Sequence, residues 1–280
     1  MKLLRSSLRY IFSNYTFKGR HRLSDKLGLM LAPKDVEIIK LNDVYFPVDH
    51  QVEFYRYMYY GVYEERFVSH LKKVVREGDI IIEPGVNVGY VTAVLQGLVG
   101  DTGKIYGLEP SMTCYNKITS YLNCSNIVLM NMALSSQDGT AYFVDTPRVI
   151  SRGYSFLSEV GTKNDEDNEY LIETITVDTL CKKNNIEKVR YLKLDVEGAE
   201  LISLKGATGM LAKKKIDYIL VETCFYDTHK DMNMEMASLL TGCGYTPYFL
   251  TEDKLQPIDF FSITGIWQDV IWTHIDNEGV

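Results

Sequence analysis

No stretch of this 280-residue chain approaches the ~20 consecutive apolar residues that a membrane-spanning helix requires, so a transmembrane protein is not expected. Cysteine is scarce and unpatterned: Cys114, Cys124, Cys181, Cys224 and Cys243 are odd in number and show no CxxC spacing. That argues against a disulfide framework and a cysteine-bound metal, and predicts reduced thiols in a cytoplasmic setting. Internal repeats are lacking, and low complexity is confined to short charged patches. What remains is an ordinary apolar content, 46%, in a chain long enough for one sizeable α/β core.

Acid outweighs base, with a net charge of −7, but unevenly. Residues 1–26 hold seven bases, Lys2, Arg5, Arg9, Lys18, Arg20, Arg22 and Lys26, against Asp25 alone, and their charge of +6 leaves −13 on the rest. Leu3, Leu4, Leu8, Ile11, Phe12 and Tyr15 recur at near-helical spacing among those bases. Such a helix either docks on the acidic body or touches an anionic membrane surface or a protein partner. Arg5 and Arg9 interrupt the apolar run that a secretory signal needs. Nucleic acid is not an expected partner of a chain this acidic.

The stretch Gly78-Asp79-Ile80-Ile81-Ile82-Glu83-Pro84-Gly85-Val86-Asn87-Val88-Gly89-Tyr90 reads as a strand, a glycine turn and the start of a helix. Glycines there let bare backbone N–H groups approach a ligand. A second acid, Glu109, ends the next apolar run, where a carboxylate can accept both hydroxyls of a ribose. The dinucleotide pattern G-x-G-x-x-G is broken, because Asn87 stands at its middle glycine and would intrude on a pyrophosphate. Glu83 would repel a phosphate and welcome a cation. A sulfonium, an ammonium and a ribose together describe S-adenosylmethionine, which is preferred over NAD.

A second motif is Tyr191-Leu192-Lys193-Leu194-Asp195-Val196-Glu197-Gly198-Ala199-Glu200, followed by Leu204-Lys205-Gly206-Ala207. GVNVGY, LEPS, LKLDVEGAE and the later ILVET together resemble the FkbM-type methyltransferases over roughly residues 56–250. The resemblance implies a class I methyltransferase fold: an α/β, doubly wound, mostly parallel seven-stranded Rossmann-like sheet closed by an antiparallel strand. It also implies cofactor contacts from Glu83, Gly85, Asn87, Gly89, Glu109, Ala133 and Asp195. Glu83 stands where the family usually carries aspartate. The chain then divides into an extension, 1–77, made of the basic arm, a hairpin and helix, and a methyltransferase domain, 78–280.

Hydrophobic periodicity gives the same order of elements. Val36 to Asp49 alternates around Asn42-Asp43 as a hairpin, and residues 51–76 read as one helix rich in tyrosine. From Ile80 strands near 79–84, 104–109, 127–132, 189–195 and 217–222 alternate with helices near 89–99, 111–123, 178–186 and 199–213. An inserted hairpin turns at Asp138-Gly139, and the polar segment 147–169 is a candidate acceptor lid. A helix over 231–242 and strands over 245–250 and 269–275 follow. Tyr55, Tyr57, Tyr59, Tyr60 and Tyr63 either line a sugar acceptor or belong to the core.

Methyl transfer to an alcohol needs alignment and a group that takes or polarises the hydroxyl proton. The candidates are Asp195, Glu197 and His229. Asp195 either serves the acceptor or caps the helix beginning near Gly198, where Glu200 is a helix-stabilising charge. A magnesium ion would be held by Asp195 and Glu222. The expected function is S-adenosylmethionine-dependent O-methylation of a sugar or glycan-precursor hydroxyl. The alternatives are a polyketide or other small-molecule hydroxyl, or a non-catalytic binding module on the same fold.

Overall fold

The computed structural model describes residues 1–145, 156–158, 168–251 and 254–275. The candidate lid at 147–169 therefore falls largely outside the described residues.

Two helices open the chain, α1 (Lys2–Asn14) and α2 (Arg20–Met30). The apolar stripe of α1 is split between its faces. Phe12 is buried edge-on against Tyr60, and Leu8 is half-buried beside it, whereas Leu3, Leu4, Ile11 and Tyr15 remain exposed. Docking on the body is completed by Arg5, which pairs with Glu37 at 3.0 Å and donates to the Leu31 carbonyl. The hairpin is β1 (Glu37–Leu41) and β2 (Val44–Val48), turning at Asn42 with φ 53. The single helix expected over 51–76 is two, α3 (Glu53–Tyr59) and α4 (Glu65–Val74). Gly61 and Glu64, both at positive φ, break the helix between them. Tyr55, Tyr59 and Tyr60 are buried in the core, whereas Tyr57 and Tyr63 are partly buried against it.

The chain continues through β3 (Ile80–Pro84), α5 (Tyr90–Val99), β4 (Lys104–Leu108), α6 (Met112–Ile118) and β5 (Ile127–Met130). An insertion of β6 (Met132–Leu134), β7 (Gly139–Asp145), β8 (Phe156–Ser158) and β9 (Asn168–Ile175) forms its own four-stranded sheet. Then come α7 (Val177–Lys183), β10 (Val189–Leu194), α8 (Glu200–Lys205), α9 (Thr208–Ala212) and β11 (Ile216–Cys224). The chain closes with α10 (Lys230–Gly242), β12 (Thr246–Leu250), β13 (Leu255–Pro257) and β14 (Trp267–Thr273).

The main sheet runs β13-β12-β14-β11-β10-β3-β4-β5, with β3, β4, β5, β10 and β11 parallel and β14 antiparallel beside β11. These are the seven expected strands plus a short eighth, β13, on the outer edge. Successive side chains of a strand alternate between faces. Ile81, Tyr191, Tyr218, Leu220 and Ile271 thus meet α4, α5 and the N-terminal extension on one face, while Ile82, Leu192, Ile219, Val270 and Trp272 meet α10 and its neighbours on the other. One apolar cluster contains both Phe12 and Ile271, so the extension shares a core with the sheet.

Candidate active site

The alternation that buries Ile81, Tyr191, Leu220 and Ile271 also places Glu83, Lys193, Glu222 and Asp269 on that same face, two residues further toward one edge of the sheet. Glu222 lies opposite Asp269 in the β11–β14 ladder, and Lys193 opposite Leu220 in the β10–β11 ladder. Two residues beyond Lys193, Asp195 comes level with Glu222. A row of charge therefore crosses the carboxyl ends of β3, β10 and β11, where open α/β sheets bind ligands.

Lys193 is its positive centre. It is 5% exposed, its Nζ donates to Asp195 Oδ2 at 2.7 Å, and burial alone would lower its pKa. The negative charges of Asp195 and Glu83 outweigh that burial and raise it. The carboxylates crowd one another. Burial, then Asp195 and Glu200, push Glu197 up to about 7. Burial, then Asp195, Glu197 and Asp269, push Glu222 up to about 8, against a hydrogen bond from Trp267. Asp269 rises to about 7 through burial and then Glu64 and Asp195. Asp195, Glu197 and Glu222 each offer an oxygen within 4.8 Å of the others. Glu197 holds a left-handed φ of 51, a strained setting that a functional position can retain. Glu200, in the first turn of α8, accepts from the amides of Val196 and Gly198 in the loop before it.

The glycine turn lies beside this row. A Cβ on Gly85, at φ +73, would sit 2.4 Å from the Asp195 carbonyl oxygen, so only glycine lets the loop run against the end of β10. Gly89 similarly admits the Leu122 side chain. Asn87 takes φ 53, which asparagine tolerates, and its N–H donates to Glu109 Oε2 at 2.7 Å. Ser111 N–H donates to the other oxygen at 2.9 Å, and burial lifts the Glu109 carboxyl to about 7 despite both bonds. Each carboxylate oxygen keeps a further lone pair for a ligand hydroxyl.

Three further expected site residues are placed as follows. Glu83 is 1% exposed beneath the loop, accepting from Thr92 Oγ1 at 2.8 Å beside Lys193. Ala133 is buried within β6, paired to β9; its near neighbour Asn131 lies at the end of β4, its side-chain amide donating to the carbonyls of Glu109 and Pro110. His229 ends a short 3₁₀ turn, bonded to Thr228 and tilted against Trp267. No ion pair joins it to the carboxylates among the described residues. Asp269 lies outside every motif of the sequence, and Lys193 stands inside the LKLDVEGAE run, where the acids Asp195 and Glu197 drew the reading. The signal was available in period two: Lys193 and Asp269 repeat the phase of Tyr191 and Ile271.

Each raised carboxyl holds its proton more tightly in the folded chain than in the unfolded one, where glutamate titrates near ~4.3. Stability from Glu222 is therefore fully present below that value and lost as pH rises toward about 8. His50 and His70, whose pKa values burial lowers, act oppositely but are spent above about pH 6.5. The unfolding midpoint of the ligand-free protein should thus fall between about pH 6.5 and 8, and Glu222→Gln should flatten the slope. A variant slope equal to the wild type's would show that Glu222 titrates normally.

Comparison with known proteins agrees with this geometry. The methyltransferase FkbM domain model matches residues 83–247. A hexuronic acid methyltransferase, AglP of Haloferax volcanii, is 24% identical over 161 residues, 57% of this chain, and the alignment spans 62% of that relative's length. Among solved structures, an FkbM methyltransferase from Methylobacillus flagellatus covers 91% of this chain and 59% of its own at 13% identity and a TM-score of 0.43. Fibrillarin of Aeropyrum pernix, bound to S-adenosyl-L-methionine, covers 74% and 73% at 16% identity and a TM-score of 0.38. With more than half of its length matched by that one domain model, the chain belongs to the FkbM methyltransferase family.

Proposed function

We propose that this protein is an S-adenosylmethionine-dependent O-methyltransferase acting on a hydroxyl of a sugar or glycan precursor. One observation carries the reading: carboxylates poised near neutrality stand between a glycine cradle and an exposed aromatic rim. The cradle suits the cofactor. Gly85 leaves room that a Cβ would fill, Glu109 offers lone pairs to a ribose, and the surplus of acid around Lys193 favours a cation. S-adenosylmethionine supplies a methyl group activated on a sulfonium. Membership of the family supports the activity, and the relative named for hexuronic acid supports a sugar acceptor.

Burial and neighbouring carboxylates push Glu197 up to about 7 and Glu222 up to about 8, so either is poised to take the acceptor's proton near neutral pH. Bound S-adenosylmethionine would supply the methyl group to the acceptor oxygen, and the hydroxyl proton would pass to that carboxylate. Asp195, fixed by Lys193, orients the hydroxyl. Trp267, 55% exposed on the rim and bonded toward Glu222, offers a face for the C–H side of a sugar ring. Trp267→Ala should raise acceptor KM by about two- to tenfold with kcat little changed. An unchanged KM would remove Trp267 from the acceptor site.

The direct test is transfer of a labelled methyl group to sugars, nucleotide sugars and oligosaccharides alongside lipids and natural-product scaffolds, read by acceptor mass. Labelling of a non-sugar scaffold alone would overturn the assignment of the acceptor. A second route is favoured by the three oxygens within 4.8 Å on Asp195, Glu197 and Glu222, a donor set that fits a hard divalent cation such as magnesium. Such an ion would polarise the acceptor hydroxyl. Activity lost to a chelator and restored by magnesium would assign the carboxylates as ligands, whereas indifference leaves them as the base.

A further inference from the structure

Across the sheet from the glycine turn, on the side of β12 and β14, lies a cleft of about 1160 Å³. Its floor reaches the reacting centre, because Asp269 lies opposite Glu222 in the ladder and Glu64 shares the field of Lys193 and Asp195. Its outer wall comes from the basic arm: Thr16 to Gly19, in the connection from α1 to α2, and Arg20, His21 and Arg22 in the first turn of α2. The sheet order thus sets a ribose corner at β4, the carboxylates at β10 and β11, and an open cleft at β14.

The two walls have opposite charge. Asp269 and Glu64 line the inner side, and Lys18, Arg20, His21 and Arg22 the outer, where Glu65 offsets Arg20 and lies near His21 while Arg66 also lines the cleft. Arg20 is spent on structure: it is buried, pairs with Glu65, and donates to the carbonyls of Phe12 and Tyr15. With Arg5 on Glu37, that suffices to dock the arm. Lys18 and Arg22 are exposed and make no hydrogen bond or ion pair among the described residues. The pKa of His21 is lowered by burial and then by Arg20 and Arg66, the mark of a positive field on this wall.

We propose that this cleft is the acceptor site and that it selects an acceptor bearing an anionic group, a sugar carboxylate or phosphate, held by Lys18 and Arg22. The proposal rests on the O-methyltransferase reading. Charge fixes the orientation: an anion turned inward meets Asp269 and Glu64 and is repelled, whereas turned outward it gains charge-assisted bonds and leaves a hydroxyl toward Glu222. The family domain model matches residues 83–247, so the arm at 16–22 lies before it and this wall is supplied by the extension.

Ligand-observed NMR on the full chain, saturated with S-adenosylhomocysteine, tests this with glucuronate, glucose 1-phosphate and glucose. One or both anionic sugars should bind about tenfold or more tightly than glucose, and Lys18→Ala/Arg22→Ala should erase that preference. The better anion tells carboxylate from phosphate. S-adenosylhomocysteine affinity and the thermal midpoint of the double variant should stay at wild-type values, since both side chains are exposed and outside the cradle. Equal binding of glucose, no binding of either anion, or a preference that survives the double substitution would overturn the proposal. Sugar-anion binding without any S-adenosylhomocysteine binding would instead sink the methyltransferase reading and leave the cleft standing.

Discussion

Lys193→Met is expected to destabilise the ligand-free protein by about 3–5 kcal/mol, the usual consequence of removing one partner from a buried ion cluster. Lys193 is the buried cation among Glu83, Asp195 and Glu64, and it is the strongest influence holding the Glu83 carboxyl down against burial. Without it, Glu83 either keeps an uncompensated charge 1% exposed or takes up a proton. Pairing the change with Glu83→Gln should recover much of the loss, because a neutral amide can still accept from Thr92. Urea unfolding of the two single variants and the double gives the coupling directly. A loss below about 1 kcal/mol for Lys193→Met, or no recovery in the double variant, would show that Lys193 is not the counter-charge.

How far the sequence revealed this site follows from the distance over which each feature is encoded. The glycine turn is local: Gly85, Asn87 and Gly89 hold the left-handed conformations that their order within five residues announces, and Glu109 ends the neighbouring strand as its spacing requires. The parallel order was equally legible, since strand and helix alternate from Ile80 onward. Asp269 was not. It joins the carboxylates only because β14 returns antiparallel beside β11 and registers Asp269 on Glu222, a partnership between residues 47 apart. Glu83 lies deeper than its charge alone indicates, because the face that buries Ile81 buries Glu83 as well. Tyr55 and Tyr60 are buried for a related reason: Phe46 of the hairpin and Phe12 of α1 cover them, and neither cover shows in the segment's own periodicity.

Opposed charges organise the sheet edge from one side to the other. Positive charge is buried at its centre in Lys193, negative charge surrounds it, and positive charge returns on the arm beyond Asp269. Under the proposed reading, an edge so arranged would hold a cationic methyl donor and an anionic acceptor at separate places, each drawn to the charge opposite its own.

Glu222→Gln should then lower kcat by about 10²–10⁴-fold while cofactor affinity changes far less, because the amide preserves shape but cannot take the hydroxyl proton. Burial and the charges of Asp195, Glu197 and Asp269 hold Glu222 near pH 8, so wild-type turnover should climb as pH rises through about 8 and this limb should vanish in the variant. Glu197→Gln tests the other half of the pair. If both carboxylates share the proton, each substitution should displace the pH–rate profile and the double variant should cost less than the two losses combined. Asp195→Asn should also depress kcat, by loss of the group that Lys193 fixes, but should leave the position of the alkaline limb to Glu222. His229→Ala should change kcat little, since His229 lies against Trp267 and is hydrogen-bonded to Thr228. Full activity in Glu222→Gln and Glu197→Gln, combined with a collapse in His229→Ala, would move the base from the sheet edge to the turn after β11.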